Sequence, residues 1–308
     1  MSIQVQTPLS DNKYRMGHGL SNRLFVLALL LPSIIIMGSV IFYPVIKAVL
    51  ISLTNEFLLS PTTTQYVGLQ NYSKLTADPN FWLALINTLY FAVFTVAGAF
   101  LLGFALALLL NQKIRFRAFF RGLAVIPWIV PSVAAGYLFL FMFNSQVGII
   151  NYVLQKLGII HTFLDWFGNP NLALPAMIIA NIWNNFPFFM LMLLAALQSV
   201  PDDQMEAAKI DGANLWQRFW HVTIPTLQQT ILITTTLMFI WSFNNFTLIW
   251  VTTQGGPINA TTTLAVYVYQ NAFRFFQFGY AATIGIVWLL ILLVFSVFYI
   301  RVMERESA

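Results

Sequence analysis

The chain has 308 residues, of which 59% are hydrophobic, only 8% are charged and none is cysteine. Soluble domains carry about 25% charged residues, so this composition excludes a soluble globular fold. The missing thiols exclude disulfides, thiolate catalysis and thiol-held metals. The net charge of +5 reads as cations flanking membrane spans rather than as affinity for nucleic acid.

A helix needs roughly 20 apolar residues to cross the hydrocarbon. Runs of that length predict an all-α polytopic membrane protein with six transmembrane helices near 24–47, 81–112, 121–143, 174–198, 226–251 and 279–300. The expected plan is a polar N-terminal tail over 1–23, a permeating membrane domain over 24–300 and a short C-terminal tail over 301–308. The first span follows a 23-residue polar tail, is too long for a signal core and lacks a small-residue cleavage site, so it is expected to be retained. Loop 52–80 carries the turn signals Pro61, Gly68 and Asp78-Pro79. Pro127 and Pro131 lie inside the third span, where each removes a backbone hydrogen bond; a static kink and a hinge both fit. Residues 148–154 in the next loop read as a short interfacial helix, and the last outer loop holds Gly255-Gly256-Pro257.

The fifteen Lys and Arg residues are split unevenly between the loops. Lys13, Arg15 and Arg23, then Lys113, Arg115, Arg117 and Arg121, then Lys209 and Arg218, then Arg301 and Arg305 share one side; Lys47, Lys74, Lys156 and Arg274 take the other. Cytoplasmic loops carry the excess of Lys and Arg. Both termini and the loop around Glu206 are therefore expected in the cytoplasm, and the chain in a bacterial cytoplasmic membrane.

That loop, 203–225, is the densest signal in the chain. Asp202, Asp203, Glu206 and Asp211 sit with Lys209 and Arg218 between two apolar runs, and such charges must lie in water. Ala207 and Ala208 favour a helix, Gly212 breaks it, and Asn214 can cap a second one. Nothing in the chain can cradle nucleotide phosphates, since no Gly-x-x-x-x-Gly-Lys-Ser/Thr run occurs. His18, His161 and His221 have no metal-ligand spacing, and no catalytic arrangement is visible. The chain reads as no enzyme, with no cofactor and no metal of its own.

The predicted core of the spans holds no acidic or basic residue, which counts against ion-coupled transport and against an anionic substrate. It does hold amides and rings: Asn181, Trp183, Asn184, Asn185, Phe186 and Phe188 in the fourth span, and Trp241, Ser242, Phe243, Asn244, Asn245 and Phe246 in the fifth. Buried amides are costly unless satisfied. Helix–helix hydrogen bonds account for some of them; a polar translocation path accounts better for two clusters together.

Glu206-Ala207-Ala208, Gly212 and Val222-Thr223-Ile224-Pro225 resemble the coupling loop of permease subunits of binding-protein-dependent ABC importers. Tyr43-Pro44, Ser52-Leu53-Thr54, Gly68-Leu69-Gln70-Asn71-Tyr72, Asn87-Thr88, Arg117 and Arg121 before Pro127-Trp128, and Gly255-Gly256-Pro257 before Gly279-Tyr280 extend the resemblance to the carbohydrate branch. The resemblance implies that Glu206, Ala207, Ala208, Asp211, Gly212, Ala213, Phe219 and Pro225 couple to an ATPase. It implies sugar contacts at Asn181, Asn184, Asn185, Phe188, Trp241, Ser242 and Asn245, as in the larger permease of maltose-type importers. There a glycine stands for Asn185, a tyrosine for Phe188 and an asparagine for Ser242, and that subunit's large outer domain is absent here, so maltose itself does not follow. The implied partners are a second homologous permease, two ATPase subunits that use ATP and Mg, an extracytoplasmic sugar-binding protein and membrane lipid. A permease for glycerol phosphate or another small polar solute, a stand-alone facilitator, and a signalling or assembly protein on the same fold remain as alternatives.

Overall fold

A computed structural model describes residues 20–306. The expected tail over 1–23, with Lys13, Arg15 and His18, lies outside the described residues up to residue 19, as do the last two residues of 301–308. The chain divides into two compact units, split between Leu50 and Ile51. The first is a single apolar rod: α1 (Leu20–Met37), one wide π-helical turn (Gly38–Phe42) and α2 (Tyr43–Ser52) as far as Leu50, the last two residues of α2 belonging to the second unit. It forms one candidate span, Phe25–Ser52, longer than the expected 24–47. Lys47 therefore lies inside the helix, a correction to the expectation of an uncharged span. The long stem of a lysine near a helix end lets its ammonium reach the interface.

The second unit begins with α3 (Gln70–Thr76) and the 33-residue α4 (Pro79–Asn111). There follow α5 (Arg117–Ile129), α6 (Ser132–Met142), α7 (Ile149–Lys156), α8 (Pro170–Leu197), α9 (Asp202–Ile210) and α10 (Leu215–Arg218). A π-helical turn (Phe219–Thr223) leads into α11 (Ile224–Phe243), then α12 (Thr247–Thr252), α13 (Leu264–Tyr269), a second π turn (Gln270–Arg274) and α14 (Phe278–Glu306). The fold is all-α: the described residues contain no strand, only isolated bridges at Thr54–Tyr66 and Phe57–Gln277. The interfacial helix expected at 148–154 is α7.

Both long central helices start in the same way. Asp78 and Asn169 each accept a hydrogen bond from the backbone N–H two residues on, at 2.9 Å, with Pro79 and Pro170 opening the first turn. Such caps satisfy donors that have no partner inside the helix, and proline loses nothing there. α4 and α8 then pack together along small residues. Ala92, Thr95, Ala99, Gly103 and Ala107 form a buried stripe on α4. A Cβ on Gly103 would lie 2.6 Å from the Phe186 carbonyl and 2.7 Å from the Phe189 Cβ. Small residues permit such close approach in membranes, where packing rather than water exclusion drives association. Phe189, Met190 and Leu193 fill the fully buried layer beside them.

The third span is not one rod. α5 and α6 pass as a span only as a pair, bent by 95° at Val130-Pro131. Counted as one span, the pair joins Phe25–Ser52, Pro79–Asn111, Pro170–Leu197, Leu215–Thr252 and Phe278–Tyr299 to give the expected six.

The outer motifs act as pins. Asn71 donates its amide to the carbonyls of Ser52 (2.9 Å) and Thr54 (2.7 Å), and Ser52 Oγ pairs with the Tyr72 hydroxyl at 2.8 Å. A Cβ at Gly279 would strike the Thr54 carbonyl, 2.0 Å away, so only glycine fits. Asn87 donates to the carbonyls of Asn259 (3.2 Å) and Thr262 (3.1 Å), anchoring the loop after Gly255-Gly256-Pro257. Asp78 accepts hydroxyl hydrogen bonds from Tyr267 and Tyr280, both at 2.5 Å. Burial pushes the Asp78 carboxyl up, but those two bonds and the N–H groups of Asn80 and Phe81 outweigh it and hold it below its ordinary value. The Tyr267 hydroxyl is pushed up, by burial first and then by its bond to Asp78.

Candidate functional site

The two amide clusters meet. Asn181, in the middle of α8, is buried, and its Oδ1 accepts from Asn185 Nδ2 at 2.9 Å and from Asn245 Nδ2 at 3.2 Å. Asn185 Nδ2 also reaches the Asn181 carbonyl at 2.8 Å, and Asn181 Nδ2 lies 3.4 Å from Thr95 Oγ1 on α4. α11 and α12 are interrupted at Asn244–Phe246, where regular helical bonding stops. That break turns Asn245 inward; Asn244 is exposed and donates to the Ile240 carbonyl at 2.7 Å. Irregular backbone within a span is tolerated where it is buried in protein or lines a cavity. The cluster thus joins three helices through uncharged donors and acceptors, with Asn185 and Asn245 half-buried.

Aromatic rings stand beside the amides. Phe188 is buried, with its ring centroid 5.0 Å from Trp241 in an edge arrangement and 6.1 Å from Trp128 on α5. Trp241 is 48% exposed, beside the buried Phe188. Ser242 is buried, and its hydroxyl has no hydrogen-bond partner.

Asn184 is placed differently from the other amides. Its Nδ2 donates to the carbonyls of Pro127 at 2.6 Å and Val130 at 3.3 Å. In an uninterrupted helix the Pro127 carbonyl would accept from residue 131, but Pro131 has no N–H. Asn184 supplies that donor across the helix interface and stitches the bend of the third span. Sequence reading missed Thr95 and Trp128 as neighbours of this site. The signal for Thr95 was a lone polar residue within an apolar run; for Trp128 it was an indole beside Pro127.

The elbow after α8 forms the second region. α9 ends in two bonds that close around Gly212: Ala213 N–H to the Ala208 carbonyl at 2.9 Å, and Gly212 N–H to the Lys209 carbonyl at 3.1 Å. Gly212 has φ +81°, the left-handed conformation this helix ending needs. Asn214 then caps α10 reciprocally with Gln217, each side chain bonding the other's backbone N–H. Glu206, Ala207, Asp211 and Gly212 are exposed, whereas Ala208 and Ala213 are half-buried. Phe219 stacks on Phe104 of α4 at 5.9 Å and on Trp216 at 6.0 Å, fastening the elbow to the bundle. Pro225 follows the wide π-helical turn in a helix that continues from α10 into α11. Ile210, Leu215 and Trp216 are exposed by 86%, 80% and 68%, an apolar crest beside Glu206 and Asp211. Between the two short helices a cleft of about 280 Å³ is lined by Ala208, Asp211, Gly212, Gln217, Arg218 and His221.

Residues 99–303 match the family described as binding-protein-dependent transport system inner membrane component. The chain belongs to that family. Its relatives include the sulfoquinovosyl glycerol transport system permease protein of Agrobacterium fabrum, 34% identical over 94% of this chain and 93% of the relative. The trehalose/maltose transport system permease protein of Thermococcus litoralis is 32% identical over 89% of this chain and 92% of the relative. Among solved structures, a bacterial ABC transporter involved in alginate import shares the fold, with TM-score 0.79, 22% identity, and coverage of 94% of this chain and 98% of that one. As an inner membrane component of a binding-protein-dependent importer, the chain is a multi-pass permease subunit and a transport component rather than an enzyme. The matched region runs from the buried stripe of α4 through the amide cluster and elbow into α14.

Proposed function

We propose that this chain forms half of an ATP-driven path for a sugar or oligosaccharide delivered by an extracytoplasmic binding protein. The observation that carries the reading is the meeting of Asn181, Asn185 and Asn245 beside the Phe188–Trp241 rings. Amides match sugar hydroxyls, and a half-exposed indole offers apolar surface for a sugar ring. The cluster contains no charged residue, which favours a neutral saccharide over glycerol phosphate, whose phosphate needs cations. Two relatives are named for sulfoquinovosyl glycerol, whose sulfonate is anionic, and for trehalose and maltose; their names agree with a sugar but do not bear out its neutrality.

A second homologous permease completes the path, and two ATPase subunits dock on the elbow from the cytoplasm, where both termini also lie. ATP and Mg belong to those subunits. Glu206 and Asp211 offer charge, Gly212 the bend, and Ala207, Ala208 and Ala213 close approach; Phe219 and Pro225 carry the movement into α4 and α11. Asn185, Asn245 and Trp241 face the sugar, with Asn181, Phe188 and Ser242 buried behind them and Asn184 holding the third span beside them. The test is labelled-sugar uptake into proteoliposomes holding the assembled transporter, across a panel of saccharides. Asn245→Ala is expected to lower uptake of the preferred sugar at least about tenfold with assembly intact, the loss of roughly 1.4 kcal/mol or more at the path. Unchanged uptake would remove Asn245 from it.

A further inference from the structure

Where α4 hands over to α5, an apolar groove of about 310 Å³ is lined by Leu106, Leu109, Leu110, Ile114, Phe120, Leu123 and Ala124. Four cations are threaded through the same stretch: Lys113 and Arg115 flank Ile114, and Arg117 and Arg121 flank the segment that holds Phe120. On α5, residues 117, 120, 121 and 124 fall on one helical face, so two cations and two groove-lining residues share a stripe. Lys113, Arg115 and Arg117 are exposed. Arg121 is held inward by a bond to the Leu110 carbonyl at 3.0 Å, while its Nε is buried without a hydrogen-bond partner. α5 opens with no side-chain cap, leaving its first N–H groups without a side-chain acceptor. Phe116 and Phe119, each 67% exposed, flank the cations with apolar rings, and Arg115 lies over the Phe116 ring at 5.1 Å. No Asp or Glu occurs between Asp78 and Asp165, so no carboxylate of this stretch answers those charges.

An apolar slot whose lining residues Ile114 and Phe120 alternate in sequence with exposed cations fits one class of molecule: an acyl chain attached to a phosphate. We propose that this groove is a binding site for an anionic glycerophospholipid, its acyl chain along Leu106, Leu110, Leu123 and Ala124 and its phosphate on the exposed Lys113, Arg115 and Arg117, with the Arg121 charge behind them. Basic pockets between membrane helices recognise anionic head groups in this way. Each neutralised cation is expected to lower the preference for anionic lipid by about fivefold.

The full-length chain is reconstituted into nanodiscs of equal dioleoylphosphatidylglycerol and dioleoylphosphatidylcholine, extracted in mild detergent, and its retained lipids are counted by native mass spectrometry. The chain is expected to keep phosphatidylglycerol in preference. Lys113→Gln/Arg115→Gln/Arg117→Gln, all at exposed positions, reduces that preference at least about tenfold. Lys156→Gln, a cation on α7, leaves it unchanged. Ala124→Phe fills the groove and lowers retention of phosphatidylglycerol, and a melting temperature matching the parent chain shows that the variants are folded. Equal retention of the two lipids, or a preference that survives the triple variant, overturns the proposal. Retention that follows the cations but survives Ala124→Phe moves the lipid off the groove and also overturns it. So does a second polypeptide found covering the groove in place of lipid.

Discussion

Asn184 donates its amide to the carbonyl of Pro127, which has lost its helical partner because Pro131 lacks an N–H. Its neighbour Asn185 turns instead to Asn181, where Asn245 also arrives. Two adjacent amides of one type therefore serve different ends, and substitution separates them. Asn184→Ala leaves the Pro127 carbonyl without that donor, a cost of about 1–3 kcal/mol, and is expected to lower the melting temperature of the detergent-solubilised protein. Asn185→Ala removes a donor from the half-buried side of the cluster and is expected to reduce uptake with little change in melting; the reverse pattern would exchange the two roles. Asp78 belongs to a third kind, a carboxylate that holds two tyrosine hydroxyls outside the spans. Its carboxyl is depressed, so its contribution to stability is present above the usual carboxylate range and is lost as pH falls below that range. Tyr267 is raised, so its contribution is present below about pH 10 and is lost as pH rises beyond it. Melting measured against pH is expected to be level between those limits in the parent, and Asp78→Asn is expected to lower the plateau by about 1–3 kcal/mol. A plateau unmoved by Asp78→Asn would show that the tyrosines do not depend on the charge.

At the level of helices, the elbow and the α4–α8 seam make opposite demands on glycine. Gly212 needs a left-handed backbone, but a Cβ there would meet nothing within 4 Å in this chain. Gly212→Ala thus costs about 1 kcal/mol of backbone strain alone, and Gly212→Asp adds a charge that only a partner would feel. Gly212→Asp is expected to abolish copurification with the ATPase while membrane-domain melting changes little; normal copurification would dissociate the elbow from ATPase docking. Gly103 is the converse, with ordinary helical backbone and no room, since a Cβ lies 2.6 Å from a backbone carbonyl. Gly103→Leu is expected to destabilise the seam by about 1–3 kcal/mol or more, read as loss of monodisperse protein after mild heating. The elbow was legible in the sequence because its signals are local: Asn214 caps three residues ahead, and Gly212 closes a helix that ends one residue before Asp211. The seam was not, because the reason for Gly103 lies on α8.

Across the whole molecule, the length of apolar runs was enough to find the spans, six with the bent pair counted as one, and the two amide clusters picked out in the sequence are joined by Asn181, Asn185 and Asn245. The 95° bend of the third span was readable only as two prolines, because a kink angle depends on what satisfies the freed carbonyl, here Asn184 from a different helix. Thr95 escaped for the same reason: its amide neighbour is 86 positions away in sequence. The outer motifs were recognisable as a pattern before their work as pins between Ser52, Asn71, Asn87 and Gly279 could be seen. On the proposed reading, that architecture is half of a path that another permease closes and the elbow drives. The most direct test is recovery of the chain from its native membranes in a mild detergent, with mass spectrometry of the chains that come with it. The account predicts a second six-span permease and an ATPase carrying a phosphate-binding Walker loop in the same particle. Recovery of the chain alone, stable and repeatedly so, with solute passing through it in liposomes without ATP, would contradict it.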